Sequence, residues 1–295
     1  MPLALALDIG GTTTRAALVD GDGRIARLVV APTALSGEPQ ALMETVENLA
    51  LELDFRRAAE ERVVGVALPG VLDPATGVVR RAVNLPHLEG FEIRRLLETR
   101  LQRPIRIETD VIAAGVAQHR AVTPPPARFA YLSIGTGIGG CVILGGEIVR
   151  HTNGGAGRLG HLIVDTSDAA PRCKCGARGC LEAVLHAQRG QSAEPRTAVP
   201  LSQCDTRASV VLHENLSWMR ALSIALIQVT HIYAPGVIAL GGGVIDHDHE
   251  MPDRAHERMR ELPGDLTPRD LRIVRAELDS DRAGCIGAAL LARNF

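Results

Sequence analysis

The stretch Asp8-Ile-Gly-Gly-Thr-Thr-Thr-Arg15 joins two apolar runs near the start of the chain, residues 3–7 and residues 16–19. A polar turn at residues 20–23 then leads to a third apolar run, residues 25–30. Short apolar runs separated by turns rich in glycine, threonine and aspartate are typical of neighbouring antiparallel strands. The sequence therefore predicts a β-meander at the N-terminus.

The first turn of this meander has the composition of a phosphate-binding loop. Gly10 and Gly11 carry no side chain to cover their backbone N–H groups, which suits the approach of phosphate oxygens. Thr12 adds a hydroxyl, and Asp8 at the strand end is placed to hold a metal-bound water. For this stretch alone, an ordinary glycine hairpin is the alternative.

The same pattern returns in the second half of the chain. The apolar run 129–133 enters Ile134-Gly-Thr-Gly-Ile-Gly-Gly140, and another apolar run, residues 141–144, follows. The glycines and hydroxyl of this second turn are Gly135, Thr136 and Gly137. Two such hairpins could hold one polyphosphate chain from two sides, so the repetition is more informative than either copy.

Length and a linker predict two lobes. A chain of 295 residues exceeds what one hydrophobic core usually serves, and Thr123-Pro-Pro-Pro126 is the clearest linker. We expect a smaller α/β lobe over residues 1–122, completed by a C-terminal helix over 281–295, and a larger α/β lobe over 123–280.

A compact set of metal-binding side chains lies in the second lobe. His161, Cys173, Cys175 and Cys180 supply one imidazole and three thiols within twenty residues, a complete ligand set for tetrahedral structural zinc. Buried free thiols and a disulfide are the alternatives. The sequence favours zinc, which would stabilise the conformation of the loop that carries these residues.

Asp110 and a glycine run mark two further positions. Asp110 follows the predicted strand 105–110 at its junction with a helix, where catalytic residues of α/β sheets gather, although a helix N-cap is the alternative. Gly241, Gly242 and Gly243 follow the predicted strand 237–240 and leave room for a flat ring.

The acidic and histidine-rich run 246–250 favours a solvated loop over a metal site.

Periodicity predicts the remaining elements. The predicted helices are 39–59, 91–101, 209–233 and 281–291, the predicted strands are 63–68 and 271–274, and 84–90 and 187–207 are predicted to be loops.

Composition excludes several classes of protein. A net charge of −2 argues against a nucleic-acid partner, and no apolar run is long enough to span a bilayer. The pattern of cysteine usage fits a reducing cytoplasm. We therefore expect a cytoplasmic protein that binds small molecules.

In combination, these motifs resemble the ROK family of repressors, open reading frames and sugar kinases, within the actin/hexokinase/Hsp70 ATPase superfamily. The resemblance covers essentially the whole chain. Its motifs are Asp8-Ile-Gly-Gly-Thr12, Pro69-Gly70, Asn84-Leu-Pro86, Glu108-Thr-Asp110, Ser133-Ile-Gly-Thr-Gly-Ile-Gly-Gly140, Gly160-His161, Cys173-Lys-Cys-Gly-Ala-Arg-Gly-Cys-Leu-Glu182 and Leu240-Gly-Gly-Gly243. Only seven residues precede Asp8, so we do not expect the DNA-binding helices of the repressor branch.

The resemblance implies a two-lobed, actin-like (ribonuclease H-like) α/β ATPase fold with a cleft, a structural zinc loop, Mg²⁺ with ATP, and a homodimer. It implies that Asp110 acts as general base on a sugar hydroxyl, most simply at C6. The implied sugar contacts are Asn84, Thr109, Asp110, Arg158, His161 and Glu182. The implied nucleotide and phosphate contacts are Asp8, Gly10, Gly11, Thr12, Gly135, Thr136, Gly137, Gly241, Gly242 and Gly243.

Two departures from the family pattern fall in the implied sugar site. Arg158 stands where the family usually has a glutamate that accepts hydrogen bonds from sugar hydroxyls, and arginine only donates. A buried guanidinium would need an anion, for which Glu182 or an acidic substrate group is expected. Thr109 stands where an asparagine is common, so one amide donor and acceptor is lost.

Three functions remain open at this stage. The first is an ATP-dependent sugar kinase with an altered pocket, for an N-acetylated, acidic or otherwise modified sugar. The second is a catalytically degenerate sugar or nucleotide sensor, which the retained Asp110 disfavours and Arg158 favours. The third is a phosphohydrolase or non-sugar kinase, which the zinc segment disfavours.

Overall fold

The computed structural model describes residues 1–35, 39–73, 76–150, 156–188, 216–262 and 268–293. The chain forms two compact units. Unit 1 is Met1–Ala121, Arg150–Ala156 and Asp281–Phe295, and unit 2 is Val122–Val149 and Gly157–Ser280. The expected division into a smaller lobe, 1–122 completed by 281–295, and a larger lobe, 123–280, stays a prediction.

Unit 1 is built on a five-stranded sheet with the order β3-β2-β1-β4-β7. Its strands are β1 (Ala4–Ile9), β2 (Thr13–Val19), β3 (Ile25–Pro32), β4 (Val64–Leu68) and β7 (Ile105–Thr109); β5 (Val71–Leu72) and β6 (Val79–Arg81) form a separate ribbon. The first three strands are antiparallel, which confirms the predicted meander. Strands β1, β4 and β7 run parallel, so their carboxyl ends lie at one edge of the sheet.

The helices of unit 1 are α1 (Pro39–Glu52), α2 (Phe55–Ala58), α3 (Ile93–Leu101), α4 (Asp110–Ala121) and α9 (Ser280–Ala292), and a 3₁₀ turn covers Pro86–Leu88. The single helix predicted over 39–59 was wrong in one respect. Asp54 adopts a left-handed conformation with φ 50°, which separates α1 from α2. The apolar period continues across this break, so spacing alone could not reveal it.

Unit 2 repeats the arrangement with a sheet of the order β10-β9-β8-β11-β12. Its strands are β8 (Arg128–Ile134), β9 (Ile138–Leu144), β10 (Glu147–Ile148), β11 (Val237–Gly241) and β12 (Arg272–Arg275). Its helices are α5 (Leu181–Gln188), α6 (Leu216–Tyr233), α7 (Gly243–His247) and α8 (Met251–Arg260), with a 3₁₀ turn at Leu159–His161. Strands β8 and β9 form an antiparallel hairpin, which confirms the predicted repeat of the β1–β2 hairpin.

Each unit has its own hydrophobic core. Leu7 and Leu97 are fully buried in the core of unit 1, and Trp218 and Leu222 are fully buried in that of unit 2. No helix in the described part of the chain is long and apolar enough to cross a membrane.

Helix α9 packs closely against its neighbours through small residues. A Cβ added to Gly287 would lie 1.7 Å from the carbonyl oxygen of Ala113 in α4. A Cβ added to Gly65 in β4 would lie 1.9 Å from the carbonyl oxygen of Ala288. Glycine is therefore required for these elements to approach so closely.

The structure differs from the expectation for one polar segment, residues 246–250, and describes little of another, residues 187–207. The run 246–250 is not a simple solvated loop, because α7 extends to His247 and the buried carboxylate of Asp248 pairs with Arg254. The loop expected over 187–207 lies outside the described residues except for its first two positions, which end α5. Residues 209–215 of the predicted helix 209–233 also lie outside the described part.

Candidate active site and metal centre

The turn between β1 and β2 is held by backbone and threonine hydrogen bonds. Gly10 N–H donates to the carbonyl of Thr13 at 2.9 Å, and the Thr33 hydroxyl donates to the carbonyl of Gly10 at 2.8 Å. The amides of Gly11 and Thr12 make no hydrogen bond within the described chain. The turn therefore presents two adjacent N–H groups to an anion.

Asp8 is a carboxylate buried at the end of β1 beside this turn. It is 8% exposed, and a Cβ added to Gly284 of α9 would lie 2.5 Å from its carboxyl carbon. Burial, reinforced by the negative charge of Asp110 and opposed by Arg15, raises the pKa of Asp8 to about 7. Asp8 and Asp110 thus interact within unit 1, at the carboxyl ends of β1 and β7.

Arg15 is a site residue that the sequence interpretation missed. It lies directly opposite Asp8 in the β1–β2 register, and its guanidinium is 3.7 Å from the Asp8 carboxylate. It also pairs with Asp281 at the start of α9. In a regular β-hairpin closed by the turn at Gly10–Thr13, residues 8 and 15 lie opposite each other. The proximity of Arg15 to Asp8 could therefore have been predicted from the hairpin pattern.

Asp110 is the first residue of α4, at the junction predicted from the sequence. Its Oδ1 accepts a hydrogen bond from the adjacent N–H of Val111 at 2.8 Å. An N-cap side chain instead bonds the amide two or three residues on, so this contact is not the usual cap. Burial raises the pKa of Asp110 above its ordinary value, and the bond from Val111 opposes the shift.

The residues around Asp110 show where the implied sugar contacts lie. Thr109 is 8% exposed, and its hydroxyl is buried without a hydrogen-bond partner in the described chain. Glu108 accepts from the amide of Thr109 at 2.9 Å and pairs with Arg150. Asn84 is exposed and lies against the first turn, since a Cβ on Gly11 would be 2.8 Å from that of Asn84.

The turn between β8 and β9 forms a second group of uncovered amides in unit 2. Gly135 N–H donates to the carbonyl of Gly137 at 2.9 Å, while the amides of Thr136 and Gly137 make no hydrogen bond within the described residues. Ile138 N–H donates to Glu182 Oε2 at 2.8 Å. A carboxylate therefore already occupies one position of this turn.

His161, Cys173, Cys175 and Cys180 converge in unit 2. Their ligand atoms all lie within 4.8 Å of one another. Cys173 Sγ is 3.6 Å from His161 Nδ1, and Cys175 Sγ is 3.6 Å from Cys180 Sγ. Tetrahedral zinc holds such ligands about 2.0–2.3 Å from the ion, which separates them by about 3.3–3.8 Å. The residues fit the predicted zinc ion.

The loop that carries the cysteines is shaped by its backbone. Cys173 N–H donates to the carbonyl of Ala177 at 2.8 Å, and Val164 N–H donates to that of Gly179 at 2.8 Å. Gly179 has φ 70°, and a Cβ there would lie 1.7 Å from the carbonyl oxygen of Asp165. Only glycine fits, and this brings Cys180 back toward Cys175.

The three cysteines of this set would repel one another as thiolates without a cation. Burial raises the pKa of Cys180 well above its ordinary value, and the neighbouring thiols Cys175 and Cys173 raise it further. Burial also raises the pKa of Cys173. A divalent cation would offset this repulsion, because metal binding favours the deprotonated ligand.

Arg158 and Glu182, one of the two pairings considered for a buried guanidinium, form no ion pair in the structure. Arg158 is exposed, and it makes no ion pair with the residues that the structure describes. Glu182 instead accepts from Ile138. An exposed guanidinium is hydrated, so it does not need the anion that burial would demand.

His161 directs Nδ1 to the cysteines, which leaves Nε2 for another partner.

The glycine run after β11 is tightly packed rather than open on every side. Gly242 has φ 89°, and a Cβ there would lie 2.7 Å from backbone atoms of Ile134. A Cβ on Gly241 would lie 2.8 Å from the Tyr131 hydroxyl. Gly243 begins α7. The run lies beside the β8–β9 turn, because β11 pairs in parallel with β8.

Residues 4–294 match the family described as the ROK family. The N-acetylmannosamine kinase of Salmonella typhi is 30% identical over 299 residues, which cover 98% of each chain. The solved structure of a ROK hexokinase from Thermus thermophilus is 34% identical, with a TM-score of 0.77, and the match covers 99% of this chain and 98% of that one. An inorganic polyphosphate/ATP-glucomannokinase from Arthrobacter sp. strain KM is 28% identical, with a TM-score of 0.65 over 99% of each chain. These likenesses confirm the predicted fold class.

Proposed function

The chain belongs to the ROK family, and on that premise we propose that it is an ATP-dependent sugar kinase that phosphorylates the C6 hydroxyl of a hexose or N-acetylhexosamine. One observation carries the proposal. Asp110 and Asp8 lie at the carboxyl ends of two parallel strands of one sheet, beside a turn with uncovered amides. Ligands of α/β sheets bind at this edge.

Asp110 is the proposed general base. Its Oδ1 is fixed by Val111 N–H, which leaves Oδ2 to accept the proton of the sugar hydroxyl. As the proton leaves, the hydroxyl oxygen bonds to the γ-phosphorus, and the bond from that phosphorus to the bridging oxygen of ADP breaks. The raised pKa of Asp110 strengthens it as a base near neutral pH.

The phosphates of the nucleotide are assigned to the amides of the two turns. In unit 1 the uncovered amides are those of Gly11 and Thr12, and in unit 2 they are those of Thr136 and Gly137. Gly10 and Gly135, whose own N–H groups donate within the turns, line the phosphate site without a side chain. Gly241, Gly242 and Gly243 lie beside the adenosine in this proposal. Phosphoryl transfer depends mainly on positioning and on neutralising charge, and rows of fixed N–H groups provide both.

Two metal ions are part of the proposal. Mg²⁺ would enter with ATP, neutralising charge on the phosphates, and Asp8 would hold it through water. Zinc would be held by His161, Cys173, Cys175 and Cys180, and its role is structural. His161 would then be fixed by its Nδ1 and present Nε2 to the sugar.

The sugar is assigned to Asn84, Thr109, Asp110, Arg158, His161 and Glu182. The buried, unpartnered hydroxyl of Thr109 supports a polar ligand at this point, because such groups normally find a partner. The similarity to an N-acetylmannosamine kinase and to a hexokinase supports the sugar class. A donor rather than an acceptor at Arg158 favours a sugar that bears a carbonyl or carboxylate group.

The test is ADP release by metal-replete protein with Mg-ATP across glucose, mannose, N-acetylmannosamine, N-acetylglucosamine and glucuronate. We expect a sugar-dependent rate that Asp110→Asn lowers by about 10²–10⁴-fold, with AMPPNP affinity nearly unchanged. Asp253→Asn, an exposed acid in α8, is the matched control and should keep the wild-type rate. The 6-deoxy form of the best sugar should give no ADP.

Other outcomes would replace the proposal. AMPPNP binding without any sugar-dependent rate would favour a sensor. Phosphate release without sugar would favour a phosphohydrolase. A 6-deoxy sugar that still supports turnover would exclude C6, and inorganic polyphosphate in place of ATP would show whether the donor is restricted to nucleotides.

A further inference from the structure

Glu182 lies between the cysteine cluster and the β8–β9 turn. It follows Cys180 by two positions and lies in the first turn of α5. Its Oε2 accepts from Ile138 N–H at 2.8 Å, across 44 residues of sequence. A Cβ on Gly137 would lie 2.7 Å from the same oxygen, so the carboxylate packs directly beneath the turn.

Ile138 is held from a second direction by the other arm of the metal-binding segment. Gly160, which precedes His161, packs so closely on β9 that a Cβ there would lie 2.0 Å from the Ile138 carbonyl oxygen. Gly140 N–H donates to the carbonyl of Gly157 at 2.7 Å. The contacts with Ile138 therefore come from Gly160, which precedes the cluster ligand His161, and from Glu182, two positions after the cluster ligand Cys180.

We propose that Glu182 is a positioning residue for the phosphate-binding turn of unit 2, and that it fixes Gly137 and Ile138 so that the amides of Thr136 and Gly137 stay directed at phosphate. This inference rests on the proposed kinase function. It assigns Glu182 to nucleotide affinity, whereas the family resemblance assigns it to the sugar. The cluster thereby stabilises the nucleotide site as well as placing His161.

The two oxygens of one carboxylate permit both roles. Oε2 is taken by Ile138, while Oε1 has no hydrogen-bond partner among the described residues. A sugar hydroxyl could therefore donate to Oε1 without displacing the turn. Because the Glu182 carboxylate is rigid, a sugar bound at Oε1 would affect the position of Ile138. The binding of sugar and the binding of nucleotide would then be coupled through unit 2.

The experiment compares Glu182→Ala with Glu182→Gln in metal-replete protein, without sugar. The Ala variant loses the acceptor, so we expect the Kd for AMPPNP to rise by about tenfold or more. We also expect hydrogen exchange of the peptide spanning 134–144 to accelerate by about tenfold. The Gln variant keeps a carbonyl acceptor for Ile138, so both values should stay within about threefold of wild type while the KM for sugar rises.

The controls separate this inference from the proposed function. Glu257→Ala removes an exposed glutamate of α8 in the same unit and should change neither value. An Ala variant with wild-type AMPPNP affinity and wild-type exchange over 134–144 overturns the inference, whatever its KM for sugar. A Gln variant as impaired as Ala also overturns it. If the wild-type protein binds no nucleotide, the kinase proposal fails, and the exchange measurement still tests the Glu182–Ile138 contact.

Discussion

Among single residues of unit 1, Asp8 and Asp110 are two buried carboxylates that are costly to ionise. Asp8 and Asp110 are both shifted upward by burial, and Asp110 adds to the shift of Asp8. Arg15 is the cation that limits it. Such paired shifts are common where a protein needs a base near neutral pH.

The first prediction concerns the pH dependence of turnover. The proposed mechanism requires both carboxylates to be ionised, and the pKa of Asp8 is about 7 while that of Asp110 lies above its ordinary value. We expect kcat/KM to fall on the acid side with a midpoint near 7 rather than near 4, by about tenfold per pH unit where one carboxylate is protonated and more steeply where both are. The measurement is the ADP-release rate from about pH 5 to pH 9. A flat profile down to pH 5 would contradict the raised values.

The second prediction concerns the stability cost of Asp8. Its pKa is about 7 in the folded protein against 3.8 when unperturbed, so the folded state binds the proton more tightly. The ionised form therefore destabilises the fold above pH 7, and this cost disappears as the pH falls below about 4. Asp8→Asn should raise the free energy of unfolding at pH 8 by on the order of 2–4 kcal/mol.

Thermal unfolding at pH 8 and pH 5 checks this expectation, because the gain of Asp8→Asn must shrink as the pH falls. Asp253→Asn, on the exposed face of α8, should show no such difference. Equal stability of the Asn variant and wild type at pH 8 would mean that Arg15 fully offsets the burial of Asp8.

At the scale of elements, α9 holds the edge of the sheet where Asp8 and Asp110 lie. Gly284 faces the Asp8 carboxylate, and Gly287 faces the backbone of α4, which begins at Asp110. Side chains at these positions would push the elements apart. The close approach is thus a condition for the site as well as for packing.

The third prediction follows from that approach. Gly287→Ala places a Cβ 1.7 Å from the Ala113 carbonyl oxygen, so either α9 or α4 must move. We expect a loss of about 1–3 kcal/mol in the free energy of unfolding, with reduced turnover because α4 carries Asp110. Denaturant unfolding measures it. Arg282→Ala, an exposed position of the same helix, should change stability by less than about 0.5 kcal/mol.

The fourth prediction concerns the metal-binding loop. Cys175 is the exposed member of the cluster, so Cys175→Ser disturbs packing little but removes one ligand. We expect about one zinc ion per wild-type chain, a smaller fraction in the variant, and a lower Tm. Cys285→Ser, at a buried thiol of unit 1, should keep the zinc. A metal-free wild type with a Cys175–Cys180 disulfide by mass spectrometry would favour the disulfide over the zinc site.

At the scale of the whole molecule, each unit encloses a separate core. Leu7 belongs to the core of unit 1 and Leu222 to that of unit 2. Unit 1 is closed by α9 from the far end of the chain. Chains with several domains commonly depart from two-state unfolding.

The fifth prediction is that the two units unfold in distinguishable steps. Leu7→Ala and Leu222→Ala each empty a fully buried site, at a cost of about 2–5 kcal/mol. Calorimetry should show each variant lowering mainly the transition of its own unit. A single transition that both variants lower equally would show that the chain folds as one cooperative body.

Features that depend on neighbours along the chain could be predicted from the sequence. The β1–β2 and β8–β9 hairpins follow from apolar runs on either side of glycine turns, and the metal cluster follows from residue types that few other roles require. The strand–helix junction at Asp110 was equally local. Periodicity, turn chemistry and ligand spacing act over short distances, so they can be interpreted from the sequence.

Which distant groups meet could not be predicted, because it depends on the tertiary fold. Spacing could not show that Glu182 bonds Ile138 rather than Arg158, or that Arg158 is exposed. The ion pair of Arg15 with Asp281 spans 266 residues. These contacts, and the pKa of Asp8, depend on packing and burial between segments far apart in the chain. Such energies are set by three-dimensional proximity, which no local pattern encodes.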